Sequence, residues 1–318
     1  MSQWRPGASR AALEARAALF AQLRRFFAER ELLEVDTPLL ARFAVTDPSI
    51  EPLPVNASQA SPEPLYLQSS PEYAMKRLLC AGVGPIYQLG KAFRDGEFGS
   101  RHNPEFTLLE WYQPGFDLQA MMREVGSLVS EVLGRTDLGQ ISYQELFVTE
   151  LSVDPWESSA GQLEALARER LGLGELELDR DGWLDLLMSH CIEPSLKDRG
   201  PLFVFDYPPT QAALARCVQR GQRSVAERFE LYVDGIELAN GYRELRDADE
   251  LERRAETDNR RRRDTGQQAR VLDPMLLAAM RTGLPDCSGV ALGVDRLLML
   301  SLGAAQLSDV MPFDWSRC

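Results

Sequence analysis

Histidine is scarce in this 318-residue chain: there are two, His102 and His190. With no Gly-x-Ser-x-Gly elbow either, a hydrolase triad has no parts to draw on. The five cysteines, Cys80, Cys191, Cys217, Cys287 and Cys318, are scattered and form no CxxC pair. That spacing argues against a zinc site and for a reducing compartment. Positive charge is in deficit, with 35 Lys and Arg against 48 Asp and Glu, a net charge of −13. A chain this acidic is poorly suited to gripping nucleic acid through its phosphates. No 18-residue apolar run and no N-terminal apolar leader occur, so the reading is a soluble cytoplasmic protein with no membrane partner. Two nucleotide motifs are missing. Where a Walker A loop needs its first glycine and its Ser or Thr, the Gly90-Lys91 pair has Pro85 and Ala92. No Gly-x-Gly-x-x-Gly opens a helix. A nucleotide would therefore have to bind on an antiparallel sheet.

Apolar residues make up 44% of the chain, enough to bury a core of this size. The organising stretch is Ile86 to Gln113. Two apolar runs, 86–93 and 106–112, flank a polar, Gly-containing loop with Arg94, Asp95, Gly96, Glu97, His102 and Asn103. This is the pattern of an antiparallel hairpin carrying a long functional loop. Alternation puts Phe106, Leu108, Glu110 and Tyr112 on one face and Thr107, Leu109 and Trp111 on the other. The first face suits a site that stacks a ring and holds a cation.

Ser9 is read as the cap of a helix running to about Arg30, followed by the strand-like LLEVDTPLL, in which Pro38 belongs at an edge or bend. Residues 45–64 read as loop and 66–69 as a short strand. Ser70 is expected to cap a helix with Pro71 in its first position and Glu72 complementing the helix dipole. Asp117 caps an amphipathic helix. Residues 134–200 carry helical patterns without a reactive constellation and read as a peripheral insertion, and 202–205 as a buried strand. Asp234-Gly235 marks a second hairpin. On its second strand, alternation sets Asn240, Tyr242 and Glu244 on one face and Glu237 on the other, unless a bulge near Asn240-Gly241 turns Glu237 round. Two carboxylates together would suit Mg2+. Residues 247–265 form a charged helix whose Arg260–Arg263 run reads as a solvated surface. Small residues at alternate positions of 287–293, among them Ala291 and Gly293, bare one strand face to a ligand. Arg296 follows at a strand-to-helix corner fit for phosphate.

These residues resemble the catalytic core of class II aminoacyl-tRNA synthetases. LLEVDTPLL looks like the first class motif, at the dimer interface; FRDGEFGSRHNPEFTLLEWY like the second; SGVALGVDRLLML like the third. SPEYAMKRLL, RHNPEFTLLEWY and ELANGYREL are most similar to lysyl-tRNA synthetases. The expected fold is α+β, an antiparallel sheet flanked by helices, as a single catalytic domain over 1–318. No N-terminal anticodon-binding domain is expected. That short form resembles the ligase family that transfers (R)-β-lysine to a lysine of elongation factor P.

The resemblance implies ATP and Mg2+, an aminoacyl-adenylate and a homodimer, with tRNA not expected as a partner. Arg94 and Arg296 would hold the ATP phosphates, Arg94 on the α-phosphate, with Phe106 stacked on adenine. Asp95, Gly96, Glu97, Asn103, Glu237, Leu238 and Gly293 would complete the ATP set. Glu237 and Glu244 would hold Mg2+. Ser70, Pro71, Glu72, Glu110, Tyr112, Asn240, Tyr242, Glu244 and Ala291 would line the pocket for (R)-β-lysine or lysine. Two departures stand out. The family's Arg-x-Glu is here Arg94-Asp95-Gly96-Glu97, and Ala291 replaces a glycine of lysyl-tRNA synthetases. Alternative acceptors are tRNA or a small amine, and an inactive regulatory core is a further alternative. The Arg260–Arg263 run could dock an acidic, tRNA-shaped protein.

Overall fold

The computed structural model describes residues 4–56, 61 and 63–318. In chain order the elements are α1 (Arg10–Ala28), β1 (Leu33–Glu34), β2 (Leu40–Ala41), β3 (Pro54–Val55), β4 (Leu65–Leu67), α2 (Glu72–Cys80), β5 (Ile86–Phe93) and β6 (Glu105–Pro114). Then come α3 (Leu118–Leu133), β7 (Gly139–Ser142), α4 (Tyr143–Leu151), α5 (Ala160–Leu171), α6 (Arg180–Leu187) and the short α7 (Glu193–Ser195). The chain continues through β8 (Leu202–Tyr207), β9 (Cys217–Arg220), β10 (Arg223–Val233), β11 (Ile236–Arg243), α8 (Ala248–Asp264), α9 (Pro274–Gly283), β12 (Cys287–Gly293) and α10 (Val294–Ser301). The loop expected over 45–64 contains the short β3; its residues 57–60 and 62 lie outside the described residues. Pro38 sits between β1 and β2, in neither strand, as its missing donor requires.

Two compact units emerge. The first comprises Met1–Phe116, Glu131–Leu133 and Leu245–Cys318. Its strands β5, β6 and β12 pair antiparallel, with β1 parallel on the outer side of β5. Ser9 caps α1 by accepting from the Ala12 N–H. The buried face of α1 lies on the sheet: Phe27 stacks on Tyr87 at 4.5 Å and meets Trp111 edge-on at 5.2 Å. On that same face Arg16 donates to Asp295 at 2.6 Å and to Thr107 at 2.7 Å. Helices therefore cover the Thr107–Leu109–Trp111 side, and the alternation expected for β6 holds.

The second unit comprises Asp117–Ser130 and Gly134–Glu244. Here β8, β10 and β11 run antiparallel, β7 lies parallel to β8, and β9 pairs with β10. Residues of 134–200 share one core with these strands: Tyr143, Phe147, Trp183 and Leu184 pack with Val204, Tyr207 and Tyr232. Asp117 caps α3 through Ala120 N, and the Gly126 of that helix lies close enough to Leu138 that an added Cβ would meet it at 2.7 Å. The β10–β11 turn has Asp234 at φ 51° and Gly235 at φ 69°. This double positive φ is what an Asp-Gly hairpin turn needs. Gly235 also abuts the chain at α7: a Cβ there would stand 2.5 Å from the Glu193 carbonyl oxygen.

Candidate active site

The β5–β6 register runs from Ile86 opposite Tyr112 to Phe93 opposite Glu105. On the other side of β6, Gly289 faces Tyr112, Ala291 faces Glu110 and Gly293 faces Leu108. The small residues of β12 therefore flank the polar face of β6 beside Glu110. Glu110 is 2% exposed and accepts from the Ser70 hydroxyl and the Tyr112 hydroxyl, each at 2.7 Å. Both of its carboxylate oxygens thus accept from hydroxyl groups on the same face.

The structure shifts the expected start of α2. The helix begins at Glu72 with Pro71 as N-cap, not with Ser70 as cap and Pro71 inside. Ser70 still accepts from the Glu72 N–H at 3.0 Å while its own proton goes to Glu110. Glu72 is more than a dipole complement: Lys76, one turn on and buried, donates to it at 2.6 Å.

At the other end of the hairpin, the Arg94 guanidinium lies 5.1 Å from the centre of the Phe106 ring. Glu97 meets Arg94 at 3.3 Å, whereas Asp95 turns back to accept from the Gly96 N–H. Glu97 thus takes the place beside Arg94. Gly96, at φ 77°, provides the turn between them. The buried Nε of Arg94 has no hydrogen-bond partner among the described residues. Asn103 uses its amide internally, donating to Glu105 O at 2.6 Å and accepting from the Trp315 N–H at 2.9 Å. Arg296, in the first turn of α10, donates to His102 Nε2 at 2.8 Å and to Arg101 O at 3.3 Å. Loss of solvation, then the charge of Arg296, lowers the His102 pKa. The neutral ring can accept that bond.

In the second unit a bulge does bring Glu237 round, but it lies at Leu238 rather than near Asn240-Gly241. Leu231 pairs with Ala239 and Tyr232 with Glu237, so the buried Leu238 is the extra residue. Glu237 stands opposite Tyr232, Asn240 opposite Glu230 and Tyr242 opposite Arg228, all on one face. A cavity of about 430 Å³ opens there, lined by Tyr143, Tyr207, Arg228, Glu230, Tyr232 and Glu237 among others. Glu230 accepts from Tyr207 at 2.8 Å, and also from Tyr232, Arg228 and Asn240. Burial, then the Glu230 charge, pushes both phenols up, so both stay donors. Sequence reasoning passed over Arg228 and Glu230. Their alternation with Phe229 and Leu231 was the available signal. Glu244 is 1% exposed, bridges to Ala215 and is not part of the cavity wall. No group of three or more His, Cys, Asp or Glu residues among the described residues could by itself hold a metal.

A sheet whose polar face carries an Arg over a Phe, a hydroxyl-held Glu and a bare neighbouring strand is what the class II motifs require. The family model for class II tRNA synthetases (D, K and N) matches residues 1–316, and the chain belongs to that family. More particularly, it is 48% identical to the elongation factor P–(R)-β-lysine ligase of Pectobacterium atrosepticum, over 99% of this chain and 98% of that one. The ligase of the same name from Erwinia tasmaniensis is 48% identical over 100% and 99%, and that of Yersinia pestis 47% over 98% and 97%. Among the described residues no helix is long and apolar enough to cross a membrane.

Proposed function

We infer that this chain is an ATP-dependent ligase that activates (R)-β-lysine as its adenylate and transfers it to a lysine ε-amine of elongation factor P. The observation that carries this reading is near-full-length identity of about 48% to ligases of that name. The buried Glu110 with its Ser70 and Tyr112 donors supports it, since a carboxylate so held suits an ammonium group of the substrate.

In the first step a carboxylate oxygen of the amino acid attacks the α-phosphorus in line and pyrophosphate leaves. Arg94 neutralises charge gathering on the α-phosphate, and Phe106 stacks on adenine. Arg296, steadied by His102, meets the other phosphates. In the second step the neutral ε-amine attacks the adenylate carbonyl, AMP leaves, and the amine gives up its proton. No side chain becomes a covalent nucleophile; the protein works by positioning and charge neutralisation. Tyr112, Asn240, Tyr242, Glu244 and Ala291 are the proposed amino-acid contacts. Glu72 reaches the substrate only in company with Lys76.

Synthetases of this family generally use Mg2+, and the donors fit. Glu237 lines the cavity and offers carboxylate oxygen, which suits a hard cation that keeps waters and substrate phosphates as its other ligands. Glu237 and Glu244 are the pair proposed from the sequence reading; Glu230 is already held by two phenols, Arg228 and Asn240. When bound, Mg2+ supplies neutralising charge to the phosphates.

The test is mass spectrometry of elongation factor P incubated with this protein, ATP and (R)-β-lysine. A gain of one β-lysyl group on a lysine is expected. Efficient charging of tRNA with no gain on elongation factor P would overturn the acceptor assignment.

A further inference from the structure

Four consecutive arginines, 260–263, read in sequence as a solvated face, and three of them do reach solvent. Arg262 does not: it is 0% exposed. Its Nε donates to Gln268 O at 2.7 Å, Nη1 to Asp47 O at 3.2 Å and Nη2 to the Glu51 carboxylate at 2.6 Å. Arg270 takes the other oxygen of Glu51 and lies 5.1 Å from the centre of the Tyr66 ring. Asn259 fixes Arg270 in turn, accepting from its N–H at 2.7 Å and donating to its carbonyl at 2.8 Å. Gln267 donates to Pro48 O at 3.1 Å. The end of α8 and the turn after it thus clamp residues 47–51.

The clamp leads to the hairpin loop. The backbone carbonyl of Glu51 accepts from the Asp95 N–H at 2.6 Å. Arg94, one residue earlier, donates its own N–H to Pro104 O at 2.9 Å. The peptide between Arg94 and Asp95 is therefore fixed from the Glu51 side, and Glu51 is fixed by two guanidinium groups. A fully buried cation is tolerated only with its partner in place, so Arg262 and Glu51 hold each other and the loop root as one unit.

We propose that Arg262, through Glu51, is a positioning residue for Arg94. This rests on the assignment of Arg94 to the α-phosphate. Arg262 touches neither substrate nor reacting atoms; it sets where the Arg94 backbone leaves β5. A displacement on the order of 1 Å at such a group costs about 100-fold in rate.

The test uses the full chain and amino-acid-dependent exchange of pyrophosphate into ATP, with kcat expressed per competent site from an adenylate burst. Unfolded protein then does not enter kcat. Arg262→Lys and Glu51→Gln are expected to lower kcat by about 10- to 100-fold, while the KM for the amino acid moves by less than about threefold. Combining Arg262→Lys with Arg94→Ala should cost no more than Arg94→Ala alone, because the two act through one group. Wild-type kcat per site in Arg262→Lys overturns the proposal, as do losses that multiply in the double variant. Absence of exchange in the wild-type protein would instead count against the ligase reading itself.

Discussion

Ala291 of β12 stands directly across from Glu110 of β6, so the two side chains leave the sheet on the same face. The methyl of Ala291 is the only side chain at that spot of the strand, between Gly289 and Gly293. Extra bulk there enters the space over Glu110. Ala291→Val is expected to lower kcat/KM for the amino acid by about tenfold or more, the range of an overpacked site. The KM for ATP should stay near wild type. Pyrophosphate exchange with each substrate varied in turn measures both.

The Arg94 guanidinium lies over the Phe106 ring at 5.1 Å, with its buried Nε left without a partner among the described residues. Arg94→Ala removes the charge proposed for the α-phosphate. Loss of one such donor costs about 100- to 1000-fold in kcat. Exchange rates at wild-type level would sink the role given to Arg94.

The Arg296–His102 bond needs a neutral imidazole, and both lost solvation and the neighbouring guanidinium lower the His102 pKa from about 6.5. The unfolded chain then binds a proton more readily than the folded one. Stability from this group is present at neutral pH and is lost as pH falls below about 6.5. The protonated ring would also repel Arg296. Exchange activity should therefore decline on the acid side, and His102→Gln, which accepts without titrating, should flatten that limb. A pH profile identical in the two proteins would remove His102 from the account.

The dimer expected from the first motif has a surface to stand on. Leu33, Leu39 and Leu40, on either side of Pro38, are 55%, 40% and 43% exposed. We propose that a two-fold partner covers them, since closed two-fold pairs are the commonest oligomers. Sedimentation should give a dimer at micromolar concentration, and Leu40→Glu should shift it to monomer. A wild-type monomer would contradict this.

Local chemistry was legible wherever one residue decides. Ser9 and Asp117 cap the helices they were read to cap, and Asp234-Gly235 makes its turn. The β5–β6 hairpin was legible because alternation and a polar loop coincide. What escaped depends on partners distant in sequence. The bulge at Leu238 is set by pairing with Leu231 and Tyr232, and a strand read alone cannot reveal it. Arg262 sits in a run of like residues, and its burial follows from Asp47 and Glu51, more than 200 positions away. Asn103, read as a nucleotide contact, has its amide engaged by Glu105 and Trp315.

Hairpin turns are ordinarily the safest places to graft a label or a short tag. The β10–β11 turn is closed to that use, because Gly235 leaves no room beneath the Glu193 carbonyl. The β9–β10 turn differs: a Cβ added at Gly221 meets nothing within 4 Å. A fluorophore or epitope placed after Gly221 would report on the second unit while leaving β11, with Glu237, Asn240 and Tyr242, undisturbed. The same insertion at Gly235 would first break the hairpin that carries them.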